Sequence, residues 1–390
     1  MTNTQKIFVE CVRCGILGER VCAVPEDVDF RELYRLAAAH SMSVAVSSAL
    51  SDVMSRLPEA FIMHLSAAVN KHVVREVRSK HDISTVLTAL ESRGLKFMPL
   101  KGYLIKPLYP SADMRYASDC DILIDVHELH AVRALMDELG LVCEKHDEHH
   151  DIYYYPASKT VFEMHKSIFV GPLDKYLGTG FERARLKDGH TSFYELSPED
   201  FYISILAHSA YHFAHEGGVG IRYVADVFLY TRSYELDRDY LDRELDACGL
   251  LDFTRSFEKL AAHFFLCEEA DEFTKSLAEH VISSSILANG EKQHASDIAA
   301  NLDGKTESAA RKKTLWRKFF PTKEGMLFAY PVLKKAPFLY PLFYPVRWVH
   351  ILFSRPSSVK KLAQITSVDS NDVASMKAIR DGLGLDSGKI

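Results

Sequence analysis

Residues 96–125 read KFMPLKGYLIKPLYPSADMRYASDCDILID. A short apolar run ends at Lys101 and Gly102, and a turn-rich passage then leads to an alternating strand that contains Asp119 and Asp121. Because successive side chains of a strand point to opposite faces, the two aspartates share one face and the apolar residues take the other. Their Cα atoms are about 7 Å apart. At that spacing two carboxylates converge on one divalent ion or hold two neighbouring ions.

The two aspartates also have a simpler interpretation, in which Asp119 and Asp121 belong to an edge strand and face water. Like charges about 4 Å apart repel by roughly 4 kcal/mol at an effective dielectric constant of 20. A magnesium ion, which prefers hard oxygen ligands, would remove this repulsion. The surrounding segments favour the metal.

Those segments, LKG, MRYASDCDILI and VFEMH, resemble the signature of the uncharacterised nucleotidyltransferase-like family, within the DNA polymerase β nucleotidyltransferase superfamily. The resemblance implies a glycine turn that opens a helix toward the nucleotide phosphates, a D-x-D pair that binds metal, and a third carboxylate on a later strand. The matching residues are Lys101 and Gly102, then Asp119 and Asp121, then Glu163. The usual Gly-Ser or Gly-Gly-Ser turn is replaced by Lys-Gly, so the usual serine contact to phosphate is missing.

The resemblance extends to the helical lead-in before Lys96 and to the late segment FPTKEGMLFAYPVLKKAPFLYPLFYPVRWV. It implies an α/β (α+β) fold, in which a small mixed sheet is flanked by N- and C-terminal helical regions. The expected organisation is an N-terminal helical region (1–95), a nucleotidyltransferase-like catalytic core (96–196), a helical domain (197–286), a polar linker or lid (287–315) and an aromatic, basic C-terminal helical segment with a tail (316–390).

Composition indicates a globular protein, with 47% hydrophobic and 26% charged residues over 390 positions. The net charge of −6 gives no general attraction to nucleic acid, so no long nucleic acid is expected as a partner. The N-terminus lacks an apolar run long enough for a signal peptide. Seven cysteines without a framework pattern indicate reduced thiols and a cytoplasmic protein.

Glu163 lies in a predicted strand over residues 160–166, which follows further strands over 141–144 and 152–155. Among apolar neighbours a glutamate is unusual unless it is paired or binds metal. His165 shares its face, where it would orient Glu163, contact the nucleotide or serve as a structural histidine.

Three residues are candidates for nucleotide binding. Gly102 allows close approach of the backbone to a phosphate. Lys101 would neutralise a phosphate oxygen, or is an ordinary surface lysine. Arg115 would reach the triphosphate, or would pair with Asp113.

Three local features further along the chain predict structure. Asp125 is expected to cap a helix that ends near Gly140, and Ser197 to cap one that begins at Pro198. Arg222 and Asp226, four residues apart, are expected to form an ion pair on a helix.

The end of the chain changes character twice. Residues 287–315 are polar with few large apolar residues, which predicts a mobile linker, a lid or a disordered segment. Residues 316–353 are aromatic, basic and interrupted by prolines and lysines, which excludes a transmembrane helix. This second segment would pack back on the core as a helical hairpin or make weak peripheral contact with an anionic membrane. From residue 367 onward we expect a loose tail with one short helix.

The family resemblance implies a metal-dependent nucleotidyltransferase that moves a nucleoside monophosphate from an NTP to an acceptor and releases pyrophosphate. Asp119, Asp121 and Glu163 would hold two Mg²⁺ or Mn²⁺ ions, and Glu163 would complete the shell or act as base. The acceptor stays open among small molecules, sugars, peptides and proteins. Two alternatives are an inert nucleotidyltransferase-fold module for nucleotide sensing or protein binding, and a peripheral membrane protein that works through residues 316–353.

Overall fold

A computed structural model describes most of the 390-residue chain. The positions that it leaves undescribed are 148, 169–179, 286–289, 303, 324–325, 328–329, 331, 355–363 and 386–390. The chain divides into two compact units. Within the described positions, the first comprises Met1–Tyr211 and Val219–Ile286, and the second comprises His212–Gly218 and Leu287–Ser387.

Four helices precede the sheet of the first unit. Thr2 starts the first with a capping box, in which its hydroxyl accepts from the Gln5 N–H while the Gln5 side chain accepts from the Thr2 N–H. Gly94 follows the last helix with a left-handed φ of 64°, a conformation in which glycine commonly ends a helix. The helices are α1 (Asn3–Leu17), α2 (Phe30–Ala39), α3 (Ser43–Ala49) and α4 (Glu59–Ser92).

A five-stranded sheet lies at the centre of the first unit. Its strand order is β1-β2-β5-β4-β3, and only β2 and β5 pair in parallel. This mixed sheet, with helices before and after it, confirms the predicted α/β class. The strands are β1 (Phe97–Pro99), β2 (Asp119–Ile124), β3 (Val142–His146), β4 (His150–Tyr154) and β5 (Val161–His165).

One face of the sheet is covered and apolar. Cys120, Ile122 and Ile124 of β2 are buried in one hydrophobic core with Phe162 and Met164 of β5. The same core takes in the last turns of α4 and the apolar side of α6 (Leu129–Glu138). Burying this face leaves the opposite face of β2 and β5 for polar side chains.

The connections around the sheet are short. Between β1 and β2 run α5 (Lys101–Ile105) and the 3₁₀ helices Lys106–Leu108 and Ala112–Met114. Asp125 caps the 3₁₀ helix Val126–Glu128 that leads into α6, because its carboxylate accepts from the His127 N–H at 2.9 Å. The predicted cap is therefore confirmed.

More helices follow the sheet and complete the first unit. Ser197 caps the first of them, with its hydroxyl accepting from the Asp200 N–H at 3.0 Å, as predicted. The elements after the sheet are β6 (Arg185–Leu186), β7 (Tyr194–Glu195), α7 (Pro198–Glu216), α8 (Ile221–Ser233), α9 (Arg238–Ala247), α10 (Leu251–Phe265) and α11 (Glu272–Ser283).

The second unit contains helices where the sequence predicted a polar linker or lid over residues 287–315. Its core is built from small residues, Ala295, Ala299 and Ala310, packed around Ile298 and Met376. Because alanines allow close packing, two helices form there despite the scarcity of large apolar side chains. The helices are α12 (Gly290–Ala299), α13 (Glu307–Phe319), α14 (Val332–Lys335), α15 (Phe343–Ser354) and α16 (Ser370–Gly382).

Two predictions about the C-terminal segment can be compared with this unit. The region expected to be a loose tail with one short helix contains the helix α16, which buries Val373, Met376 and Ile379 and is therefore packed rather than loose. The helices in the described part of the chain include none with the length and apolar character to cross a bilayer.

Candidate metal and nucleotide site

The open face of the sheet brings two acids and a histidine together. Asp121 of β2 lies directly opposite Glu163 of β5 in the parallel pair, and His165 is two residues beyond Glu163 on the same face. The Nε2 atom of His165 is 2.8 Å from Oδ1 of Asp121 and 3.5 Å from Oε2 of Glu163. A single ring nitrogen therefore lies between the two carboxylates.

Lys101 adds a second positive charge from the turn after β1. Its Nζ is 3.7 Å from Oδ2 of Asp121. The backbone of Lys101 has a φ of 32°, a conformation that residues with a Cβ rarely adopt. Strained backbone of this kind persists where the surrounding structure holds it, and often where a side chain must be aimed at a functional site.

The surrounding charges keep both paired acids ionised. Burial alone would raise the pKa of Asp121, but the charge of Lys101 and the hydrogen bond to His165 hold that pKa well below its usual range. The hydrogen bond to His165 also lowers the pKa of Glu163, against burial and the charge of Asp121. Burial would lower the pKa of His165, and the two carboxylates outweigh it and raise that pKa.

Asp119 lies at the start of β2, where it keeps contact with solvent. Displacement of water by the protein around its carboxylate, together with the charges of Asp121 and Glu163, raises the pKa of Asp119. Three acids thus influence one another on this face, and a positive charge placed among them would stabilise all three.

The arrangement fits a divalent cation. One ligand atom each from Asp121, Glu163 and His165 lies within 4.8 Å of the other two. Carboxylate oxygens suit Mg²⁺ and Mn²⁺, and an imidazole nitrogen is a common ligand of transition metals. Among the residues that the structure describes, these three form the cluster whose ligand atoms are close enough to share one metal ion. Asp119 lies on the same face but is not part of this cluster.

Arg115 lies away from this cluster, in a buried ion pair. Its Nε and Nη2 donate to the two carboxylate oxygens of Asp226 at 2.8 and 2.7 Å, and the Tyr109 hydroxyl donates to the same carboxylate at 2.8 Å. Arg115 thus pairs with Asp226. The sequence had offered Asp113 as a partner for Arg115 and Arg222 as a partner for Asp226, and the carboxylate of Asp226 binds Arg115 instead. Both side chains are buried, and in a buried setting a bidentate arginine–carboxylate contact is stronger than a single hydrogen bond.

The loop that leads into β2 is fixed at three further points. Arg222 donates to the Tyr116 carbonyl at 2.6 Å, and Arg75 donates to the Ser118 carbonyl at 2.8 Å. The Tyr116 ring stacks on His72 with centroids 4.5 Å apart. These contacts from α4 and α8 set where β2 begins, and so where its aspartates lie.

Gly102 packs tightly against Arg115. A Cβ added to Gly102 would lie 2.8 Å from Nη1 of Arg115 and 3.6 Å from the Ala117 Cβ. Because Asp226 fixes the guanidinium, the arginine cannot move aside easily. Packing against Arg115 therefore requires glycine at position 102, whether or not Gly102 also lets the backbone approach a phosphate.

We expect Gly102→Val to lower the melting temperature, since the added side chain would push on the Arg115–Asp226 pair. Thermal denaturation measures this, and NTP affinity per folded molecule is measured on the same sample by calorimetry. Gly290→Val is a suitable control, because no atom lies within 4 Å of a Cβ added there and its backbone is outside the left-handed region. A Gly102→Val protein as stable as wild type would contradict the packing argument, and lost affinity at unchanged stability would assign Gly102 to phosphate approach alone.

The sequence named His165, Arg222 and Asp226, but it did not place His165 among the candidate ligands or identify the partners of the other two. His165 was visible, because it shares the face of Glu163 at a spacing of two. Arg75, Arg222 and Asp226 act on the β2 loop from helices distant in sequence, and no local pattern points to these contacts.

Comparison with known proteins gives one match. A family model described as an uncharacterised nucleotidyltransferase matches residues 26–266, which is more than half of the chain. No curated protein and no solved structure matches significantly. The matched region contains the whole five-stranded sheet, the polar face described above and the helices that hold the β2 loop.

Proposed function

The chain belongs to the uncharacterised nucleotidyltransferase family, and from this membership we propose that it transfers a nucleoside monophosphate from an NTP to an acceptor hydroxyl or similar group. The acceptor oxygen forms a bond to the α-phosphorus, the bond from that phosphorus to the bridging oxygen breaks, and pyrophosphate leaves. The observation that carries the proposal is the convergence of Asp121, Glu163 and His165 on one face of the central parallel strand pair.

Asp119, Asp121 and Glu163 are the proposed metal ligands, with His165 added by the geometry. Divalent cations bound there would lower the pKa of the acceptor and neutralise charge on the leaving pyrophosphate. Glu163 is half-buried and ionised, so it can take the proton that the acceptor loses. His165, in contact with both acids, orients Glu163 and Asp121.

Lys101 and Gly102 are the proposed contacts to the triphosphate. Lys101 already lies beside the acids, and its strained backbone aims it at them. The sequence suggested Arg115 as a further contact to the triphosphate, but two of its nitrogens donate hydrogen bonds to Asp226. We therefore assign Arg115 to positioning of Gly102 and of the loop before β2.

A second candidate function is a nucleotide-sensing or protein-binding module without chemistry. The observation in its favour is that Lys101 and His165 contact Asp121, so the acids are partly neutralised by the protein's own cations. Incubation with each labelled NTP, Mg²⁺ or Mn²⁺ and a cell extract distinguishes the two. A labelled acceptor that depends on Asp121 supports transfer, and retained nucleotide without any labelled product supports the module.

We expect NTP binding to depend on Mg²⁺ or Mn²⁺, and Asp121→Asn to remove the metal-dependent part. The substitution strips one charge and keeps the shape of the side chain. Calorimetric titration of NTP with and without metal measures the effect. Asp147→Asn, at a residue whose carboxylate caps the β3–β4 turn, is a control outside the site. Equal NTP affinity for wild type and Asp121→Asn in the presence of metal would refute the metal assignment.

A further inference from the structure

The C-terminal part of the chain carries a charge opposite to that of the whole protein. Residues 311–323 and 332–354 contain nine lysines and arginines and no acidic residue, although the net charge of the chain is −6. Positive charge is therefore concentrated in one segment, and the remainder of the chain is acidic. Such a segment attracts anionic surfaces at a distance of about a Debye length, roughly 8 Å at physiological salt.

The same segment exposes large apolar side chains. Leu342, Val346 and Val349 are 65%, 49% and 55% exposed. Leu342 ends the 3₁₀ helix Pro337–Leu342, which runs directly into α15, and the spacing of four and three residues places the three side chains along one side. Trp316 and Phe338 are 64% and 79% exposed. We call Leu342, Val346 and Val349 the outer face of α15.

Side chains on the opposite side of α15 make contacts within the protein. The Trp348 Nε1 donates to the Phe319 carbonyl at 3.0 Å, and the Tyr344 hydroxyl donates to the Pro321 carbonyl at 2.8 Å. Phe320 packs against the Tyr344 and Trp348 rings. These contacts hold α15 against the end of α13 and the chain that follows it within the second unit, and they leave the outer face exposed to solvent.

From this arrangement we infer that the segment docks on an anionic phospholipid surface. An interfacial helix lays apolar side chains into the acyl boundary while nearby cations contact the headgroups, and tryptophan favours that depth. At 12 residues α15 is about 18 Å long, too short to span a bilayer core of about 30 Å. Single-stranded nucleic acid would use the cations and the aromatic rings but would offer nothing to Leu342, Val346 and Val349.

The chain offers its own spectroscopic reporter for this docking. Its two tryptophans, Trp316 and Trp348, both lie in the segment. With the full-length protein, we expect the tryptophan emission to shift to shorter wavelength and the protein to sediment with phosphatidylcholine vesicles that contain phosphatidylglycerol. Vesicles of phosphatidylcholine alone should give neither effect, and high salt should weaken both.

A double substitution on the outer face tests whether vesicle binding depends on that face or is non-specific. Val346→Glu with Val349→Glu should lower the apparent vesicle affinity at least about tenfold, since it removes apolar contact and adds charge that repels the surface. Val77→Glu on α4, where the side chain is 67% exposed, is the matched control and should bind like wild type. Circular dichroism and melting temperature show whether each variant is folded.

Four outcomes would overturn the inference. They are equal binding to neutral and anionic vesicles, binding that survives the paired substitution, no binding to vesicles of either composition, and binding to polyuridylate RNA without binding to vesicles. The last would assign the segment to nucleic acid instead. None of these outcomes bears on nucleotidyl transfer, which depends on the first unit.

Discussion

Replacement of Glu163 with glutamine should slow nucleotidyl transfer by about 10²- to 10⁴-fold, the range typical for loss of a general base. Glutamine keeps the size and hydrogen-bonding shape of the side chain but cannot take the proton from the acceptor. Because the proton moves in the transition state, and because Asp119 and Asp121 would still hold the metal in this variant, NTP affinity should stay within a few-fold of wild type. The rate is measured as release of labelled pyrophosphate, and affinity by calorimetry on the same preparation.

The control for this substitution is Glu195→Gln on β7, where the carboxylate pairs with Arg185 at 3.3 Å and lies outside the polar face of the sheet. It should keep the wild-type rate. If Glu163 were only a structural partner of His165, Glu163→Gln would lower the melting temperature and leave the rate unchanged. That result would reject the role of Glu163 as base and favour the binding-module interpretation.

Removal of the Asp226 carboxylate should give the largest loss of stability among single substitutions near the site. Asp226→Ala leaves Arg115 buried without its partner, and breaking such a pair costs about 3–5 kcal/mol. For a protein of this size the melting temperature should fall by about 4–6 °C. Differential scanning calorimetry of the full chain measures this fall.

The double variant Arg115→Met with Asp226→Leu tests the cause. Because it removes both charges and fills the space with apolar atoms, it should recover much of the stability that Asp226→Ala loses. Asp242→Ala, at an exposed ion pair with Arg255, is the control and should change stability by about 1 kcal/mol or less. A double variant as unstable as Asp226→Ala would show that hydrogen bonding to Tyr109, rather than the buried charge, is what matters.

Local pattern was enough to predict the face of the sheet that carries the acids. The alternation around Asp119 and Asp121 has the period of a strand, and so has the alternation around Glu163. Pairing of Asp121 with Glu163 is a long-range choice of register, which spacing alone does not fix. The family resemblance implied a third carboxylate on a later strand, and the structure supplies the register that places it beside Asp121.

Contacts between distant helices and the β2 loop were beyond the reach of local pattern. Arg115 and Asp226 are 111 residues apart, and each had a plausible partner nearby in sequence. Burial decided between the partners, and burial depends on the complete fold. The segment 287–315 was predicted as a linker or lid, although residues 290–299 form a helix, for a related reason: a core packed with alanines gives little hydrophobic signal in a sequence.

If the proposed metal ligands bind an ion, the parallel pairing of β2 with β5 would couple ion binding to folding. Asp121 and Glu163 come from two strands that meet only after the chain between them has folded across the sheet. An unfolded chain therefore offers no equivalent set of donors, and a cation that binds the native sheet stabilises it by mass action, by about 2.7 kcal/mol at a concentration one hundred times its dissociation constant. Under the proposed metal assignment, the ion concentration around the protein would therefore set part of its free energy of unfolding.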